Sequence, residues 1–370
     1  MKIAFILTVH LPDDERVWYQ QAEALKNRGH EVFIVSSKID QCNLPNVKCF
    51  NDFELPKKMV IQKINNILWE INPEIIICDN PISVITAKKY TNSAKNKTTT
   101  IYDVTEWYPS KINLRNVNFF KKIIKFFCLT FLSFYAGCIV DKFIFGEYYK
   151  GKIFRILFPY KKFIYLSYFA NVELIKQYPV QDISKKCDFF YSGTLTKSSG
   201  FDKLLKVAEK IAEKNPNTKF VLKIITAQLF DESTFCNSNN LELQFIKPLP
   251  FLDFCEEIGK SDIFLDLRKV DCIKNHSLPI KIFYYMAAGR PVIYSDLKAI
   301  KKFFPKNELS SFGQFVNPNH IDSIVEIIEN YIHNPDYYNK CCHFSYEIAK
   351  NKYHWNIIKE IFIDFIEKND

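Results

Sequence analysis

Among the eleven cysteines of this 370-residue chain there is no Cys-x-x-Cys pair, and Cys341 and Cys342 are adjacent. That arrangement suits neither a disulfide framework nor a zinc site, and it predicts a reduced, cytoplasmic setting. No glycine-rich phosphate fingerprint follows the first apolar run, which argues against a nicotinamide-dependent dehydrogenase. No Lys/Arg cluster carries a helix-turn-helix, zinc-finger or RNA-recognition pattern, so no nucleic-acid partner is expected. Low-complexity tails and internal repeats are also missing. The opening Lys2-Ile-Ala-Phe-Ile-Leu-Thr is too short for a signal peptide and reads as a strand.

What remains is a chain long enough for two α/β domains, rich in aromatics (34 Phe, 20 Tyr) and with a net charge of +9. A basic balance suits phosphate-rich ligands and anionic membranes. The first strand stops at His10-Leu-Pro-Asp-Asp-Glu-Arg16, and a helix with Val17, Ala24 and Leu25 on its apolar side follows, closed by Gly29. Glu31-Val-Phe-Ile-Val-Ser is the next strand, and this order begins a parallel, doubly wound sheet. Ligands of such sheets bind beyond the carboxyl ends of the strands, which is where the His10–Arg16 loop lies. Arg16 either faces a ligand there or pairs with Asp13 or Asp14. Further strands at 74–78 and 98–102 end in Asp79-Asn-Pro and in Asp103-Val-Thr-Glu-Trp-Tyr-Pro109, which again puts carboxylates at the functional edge.

From Phe126 to Val140 the chain is almost unbroken apolar, short of the ~20 residues of a spanning helix. The expectation is a buried helix packed on the first sheet. Its basic, Phe-rich approach from Lys111 also suits a bilayer interface. Strands at 141–145 and 163–169 complete the first domain. A polar stretch with Pro179 marks a linker, and strand, small-residue loop and helix then open the second domain at Asp188. Gly193 and Gly200 bracket that loop, whose small residues let backbone amides approach a diphosphate. Strands at 219–226, 241–247 and 263–267 alternate with helices.

In Ser277-Leu-Pro-Ile-Lys-Ile-Phe-Tyr-Tyr-Met-Ala-Ala-Gly-Arg-Pro-Val-Ile, Pro279 suits a first helical turn and Gly289 a left-handed C-cap. Lys281 falls in the first turn, where the helix dipole does not favour a cation. It is either a solvated lysine or one that shares an anion such as a phosphate with the helix amides.

This segment resembles the nucleotide-sugar motif of retaining GT-B glycosyltransferases of family 4 (glycosyl transferases group 1), Pro-x-Lys-x-x-Glu-Tyr-Met-Ala-x-Gly-x-Pro-Val. Lys281, Tyr285, Met286, Ala287, Gly289 and Pro291 match, while Tyr284 replaces the glutamate that holds the ribose and His276 replaces its partner eight residues earlier. His10, Asp14 and Arg16 are similar to the family's His-x-x-x-Asp-x-Arg start. Asp103, Glu106 and Pro109 are similar to its Asp-x-His-Glu-x-x-Pro, with Thr105 in place of the histidine. Gly193 to Gly200 resembles Gly-x-Leu-x-x-x-x-Gly, with Thr194 and Ser199 where the family carries Arg and Lys clamps and Lys197 as the loop's one cation. Phe315-Val-Asn-Pro resembles a return to the inter-domain cleft.

The resemblance implies two Rossmann-like doubly wound domains facing a cleft: an acceptor domain over 1–170, a linker over 171–187 and a nucleotide-sugar domain over 188–352. The C-terminal helix (353–370) would cross back to the first domain. It implies a retaining, metal-independent transferase with no cofactor beyond a nucleotide-diphosphate sugar. Lys281, Lys197, Glu106 and Thr105 are its catalytic candidates. Gly193, Thr194, Ser199, Gly200, His276, Ser277, Leu278, Pro279 and Tyr284 are candidates for the donor, and His10, Arg16, Asp103 and Trp107 for the acceptor. The acceptor is a saccharide or lipid-linked saccharide, as in capsule or O-antigen synthesis, with peripheral membrane contact through residues 111–140 at the inner face of the cytoplasmic membrane. The substitutions equally suit a degenerate GT-B protein that partners an active transferase. An epimerase of the same fold is a weaker fit to the loops.

Overall fold

The computed structural model describes the whole chain except residues 95–96, 107, 110–113, 115–117, 231–238, 273 and 369–370. Its contacts divide into two compact units, Met1–Tyr168 with Ile358–Asp370, and Phe169–Ile357.

The first unit holds a seven-stranded sheet: β1 (Lys2–Leu7), β2 (Glu31–Ser36), β3 (Val47–Cys49), β4 (Ile75–Cys78), β5 (Thr99–Val104), β6 (Lys142–Phe145) and β7 (Lys162–Tyr165). Every pairing is parallel, in the spatial order β3-β2-β1-β4-β5-β6-β7. Runs such as Ile75-Ile-Ile-Cys are buried at every position, as expected of parallel strands covered on both faces. The strand order reverses between β1 and β4, so the loops after these two strands flank the crevice where such sheets bind ligands.

The second unit repeats this plan with β8 (Lys186–Ser192), β9 (Lys219–Ile225), β10 (Leu241–Ile246), β11 (Ile263–Asp266), β12 (Val292–Ser295) and β13 (Gly313–Val316), in the order β10-β9-β8-β11-β12-β13. Its switch point lies between β8 and β11. The residues expected as a linker, 171–187, are tied into this unit. Gln177 Nε2 donates to the carbonyl of Ala287 (2.7 Å), and Arg290 donates to the carbonyls of Tyr178 (3.0 Å) and Pro179 (3.2 Å).

The last helix, Trp355–Glu367, serves both units. The Trp355 amide donates to the carbonyl of Ala170 (3.0 Å) in the second unit. Farther along, Glu367 accepts from His30 (2.9 Å), and Lys142 donates to the carbonyls of Phe365 (3.3 Å) and Lys368 (2.7 Å) in the first.

The aromatic excess goes largely into these cores. Phe143 packs on Phe145, Phe154 and Phe158 in the first unit, and Phe283 on Phe169, Phe303, Phe304 and Tyr353 in the second. One apolar element departs from this pattern. The helix Phe119–Ile139 is 21 residues long and long and apolar enough to cross a membrane, yet only Leu129, Ser133, Ala136 and Gly137 are buried. The expected buried helix is therefore an exposed one. Its contact stripe is narrow because small residues let it settle closely; a Cβ on Gly137 would run into the Phe158 ring. Phe119, Phe120, Phe127 and Phe131 are left facing outward, between 66% and 78% exposed.

Candidate functional site

At the first switch point, Asp79 follows β4 and turns its carboxylate toward the loop after β1. Its Oδ2 accepts from the amides of Thr8 and Val9 (2.9 Å each) and His10 (3.4 Å), and its Oδ1 accepts from Ser83 Oγ (3.0 Å) and Asn80 Nδ2 (2.7 Å). Burial pushes this carboxyl up, against the pull of His10 and the amides. The three amides fix the loop so that His10 Nδ1 lies 3.2 Å from Asp14 and Nε2 3.3 Å from Thr105 Oγ1. Burial alone would lower the His10 pKa. The hydrogen bond and charge of Asp14, with the fields of Asp79 and Glu106, outweigh it and raise the pKa to about 9. At neutral pH both ring nitrogens are then donors. Thr105 Oγ1 accepts one of these bonds and keeps its own hydrogen to offer. Its backbone carbonyl takes bonds from Lys150 Nζ and from Tyr168 OH (3.1 Å), and Lys150 is in turn paired with Glu147 (2.7 Å).

Arg16 and Asp103, expected at the acceptor, face each other inside the fold. Arg16 donates Nε to Oδ2 (2.9 Å) and an amino group to Oδ1 (3.1 Å), while Gln21 adds a third bond to Oδ2 (2.8 Å). The Arg16 partner is thus Asp103, neither Asp13 nor Asp14, and its second amino group meets the carbonyl of Leu166 (3.0 Å). Both side chains are almost wholly buried, so their place is in the framework behind the His10 loop. Glu106 is exposed at the loop's rim. Trp107 lies outside the described residues.

At the second switch point, the loop Gly193–Gly200 follows β8. Gly200 sits at φ +79°, and a Cβ there would strike the carbonyl of Leu267, so this loop closes directly against the chain leaving β11. Lys269 N (3.1 Å) and Lys274 Nζ both donate to the carbonyl of Ser198, and Lys274 also meets Ser198 Oγ (2.9 Å). In place of two cations, Thr194 and Ser199 bring hydroxyls 2.5 Å apart, with Thr196 2.9 Å from Ser199. Lys197 is exposed on the loop.

Lys281 begins the helix Lys281–Ala287 and extends its ammonium to the carbonyl of Ser192, the last residue of β8. Next to it, Asp266 at the end of β11 accepts from Arg268 (2.8 and 2.5 Å) and Tyr294 OH (2.9 Å). Burial would raise this carboxyl, but Arg268, Lys281 and Tyr294 together hold it below its ordinary value. The loop amides, the Thr194 and Ser199 hydroxyls, Lys281 and Arg268 thus belong to the carboxyl ends of β8 and β11 and to the segments that follow them. Leu278 and Pro279 are buried beneath the approach to Lys281, and Ser277 and His276 lie on the partly exposed turn before it, where His276 Nδ1 meets the carbonyl of Cys272 (2.7 Å). Tyr284, expected at the donor, is 2% exposed and packs edge-on to Phe251 (5.8 Å). Three residues past Lys281, it falls on the inward face of the helix.

Residues 176–348 match the family described as Glycosyl transferases group 1. The second unit is therefore similar to group 1 glycosyltransferases over most of its length, which supports a transferase enzyme. The group 1 match spans both β8 and Lys281, so the switch-point cluster belongs to it. No curated protein matches the chain in sequence.

Solved structures are similar to the whole chain in fold. Sucrose-phosphate synthase from Thermosynechococcus elongatus has a TM-score of 0.73 at 12% identity, covering 99% of this chain and 98% of that one. Anabaena Alr3699/HepE in complex with UDP-glucose gives 0.70 at 12% identity, with 99% of each chain covered. The E. coli structure described as trehalose-6-phosphate bound with UDP-2-fluoro glucose gives 0.68 at 13% identity, with 100% of each covered. At such identities the likeness establishes the GT-B fold, two parallel α/β sheets with helices, and the group 1 match supplies the enzyme class.

Sequence reasoning placed Asp79 at the functional edge without giving it a role, and it passed over Lys150, Asp266 and Arg268. Asp266 ends a buried strand, the same kind of signal that singled out Asp79 and Asp103. Lys150 and Arg268 carried no motif.

Proposed function

We propose that the chain transfers a sugar, with retention and without a metal ion, from a nucleotide-diphosphate sugar to a saccharide or lipid-linked saccharide acceptor. The observation that carries this reading is the placement of Lys281 at the carboxyl end of β8, beside the Gly193–Gly200 loop and within the matched family region. The neighbours solved with UDP-glucose and UDP-2-fluoro glucose support a nucleotide sugar as donor. In this reading the second unit is the donor domain and the first the acceptor domain.

The bond from the anomeric carbon to the diphosphate oxygen breaks, and a bond to the acceptor oxygen forms on the same face of the sugar. The acceptor proton passes to the leaving phosphate. Lys281 and Lys197, with the loop amides and the Thr194 and Ser199 hydroxyls, stabilise the charge on the departing diphosphate, which is electrostatic catalysis by donors already in place. On the first unit, Thr105, with its hydroxyl hydrogen free to donate, and Glu106 bind sugar hydroxyls, and the charged His10 orients Thr105. The apolar, lysine-bearing Phe119–Ile139 helix supports peripheral contact with the inner face of a cytoplasmic membrane. A role in bacterial capsule or O-antigen assembly follows from a lipid-linked acceptor there.

Incubation with UDP-, GDP- and dTDP-sugars, with mass spectrometry of the products, tests this. We expect release of nucleoside diphosphate, reduced roughly 10²–10³-fold in Lys281→Ala, the range for removing one preorganised donor. Absence of both release and diphosphate binding would favour the second reading, a degenerate partner of another transferase. That reading draws on the Thr194 and Ser199 hydroxyls standing where cations are expected.

A further inference from the structure

We infer that an apolar cavity of about 600 Å³ beside the Phe119–Ile139 helix seats the hydrocarbon chain of a lipid phosphate, the membrane-borne end of the acceptor. The inference rests on the transferase reading above and specifies its substrate class.

The cavity's size lies within the roughly 300–1,000 Å³ of small-molecule sites. Its lining joins two places already described. Val104 and Glu106 bring it to the loop where His10 meets Thr105, and Phe127 and Phe131 bring it to the exposed face of the helix. Ile153 and Leu157, from the helix Tyr148–Leu157, form the opposite wall and are themselves about half exposed. A hydrocarbon chain lying in the slot would therefore run from the exposed helix face toward the Thr105 loop, with its phosphate left on the outer, lysine-bearing side and away from the Glu106 carboxylate.

The charge around the opening selects an anionic amphiphile over a neutral one. Between Phe119 and Phe163 the acidic residues are Asp141 and Glu147 alone. Both are engaged within the fold, Asp141 by Thr100 (2.7 Å) and Glu147 by Lys150 (2.7 Å). Lys121, Lys122 and Lys125 lie exposed on the same helix as Phe127, and Lys152 and Arg155 follow on the next. The cavity's own lining carries one carboxylate, Glu106, and one cation, Lys150, so the positive excess comes from those exposed lysines and Arg155 on the two flanking helices. An apolar slot flanked by them complements a phosphate carried on a hydrocarbon chain.

The test is calorimetric titration of the full chain with farnesyl monophosphate and with inorganic phosphate. Saturable binding of farnesyl monophosphate, none of inorganic phosphate, and at least tenfold weaker binding in Thr130→Trp or Ser133→Phe are expected. Thr130 is an exposed cavity residue and Ser133 a buried one, so melting curves identify a variant that fails to fold while the other still reports. Three results would overturn the inference. Farnesyl monophosphate fails to bind, both folded variants bind it as tightly as the parent, or sedimentation shows a stable dimer that protects Phe127 and Phe131. Titration of the same parent protein with UDP-glucose and dTDP-glucose separates the two claims. Donor binding without farnesyl monophosphate binding removes the lipid seat and leaves the transferase. The reverse removes the transferase and leaves an amphiphile site.

Discussion

Arg16 and Asp103, 87 residues apart in sequence, meet as a two-pronged ion pair with bonds of 2.9 and 3.1 Å beneath the His10 loop. Removing one partner strands a buried charge, which costs about 3–5 kcal/mol. Arg16→Met should lower the denaturation midpoint accordingly. Arg16→Met with Asp103→Leu should cost clearly less than the two single changes added together. Urea unfolding of the three variants checks this, and simple additivity would count against a coupled pair.

The charge on His10 gives a pH dependence whose sign is fixed. Its pKa of about 9 in the fold lies above the ordinary 6.5. The stabilisation is therefore fully present below pH 6.5 and is lost as pH rises through 9, amounting to at most about 3 kcal/mol. Thermal melts should show stability falling between pH 6.5 and 9, with a flatter profile in His10→Gln. NMR titration of the imidazole gives the pKa directly.

Neither His276 nor Tyr284 offers the carboxylate that would hold a ribose hydroxyl, and Tyr284 points into the core. A donor lacking one hydroxyl loses least from this, so a dTDP-sugar should bind at least as well as its UDP counterpart. The difference is on the order of 1 kcal/mol, one hydrogen bond's worth. Calorimetry with matched dTDP-, UDP- and GDP-glucose decides, and a clear preference for UDP or GDP removes the idea.

Lys121, Lys122 and Lys125 are exposed in the first two turns of the Phe119–Ile139 helix. Near an anionic surface each is worth about 1 kcal/mol, so changing all three to Gln should weaken binding to phosphatidylglycerol vesicles about a hundredfold. Sedimentation with liposomes measures it. Equal binding by parent and variant would exclude an electrostatic contact through this helix.

Both sheets were legible in the sequence because parallel strands buried on two faces leave unbroken apolar runs such as Ile75–Cys78 and Ile263–Leu265. The short β3 was not, since Val47–Cys49 is too brief and too exposed to leave a pattern. The strand-end rule led to Asp103, but whether a carboxylate there meets a ligand or an arginine depends on a partner far away in sequence. The helix after Asn118 misled because apolar composition reads as burial, whereas the fold takes up only one narrow stripe of it. Lys281 was singled out by an awkward place at a helix start. Its contact with Ser192 came from how β8 and that helix are laid together, which spacing does not encode.

The helix Trp355–Glu367 also governs how the protein is made. Glu367 closes on His30, and Lys142 closes on the carbonyls of Phe365 and Lys368. A ribosome therefore finishes the amino-terminal sheet's residues long before it synthesises the segment that caps them. Until translation reaches that segment these two contacts cannot form, and a fragment stopped at residue 168 would never contain them. Dissecting the two halves for separate expression calls for a circular permutant that joins residues 358–368 to the amino terminus.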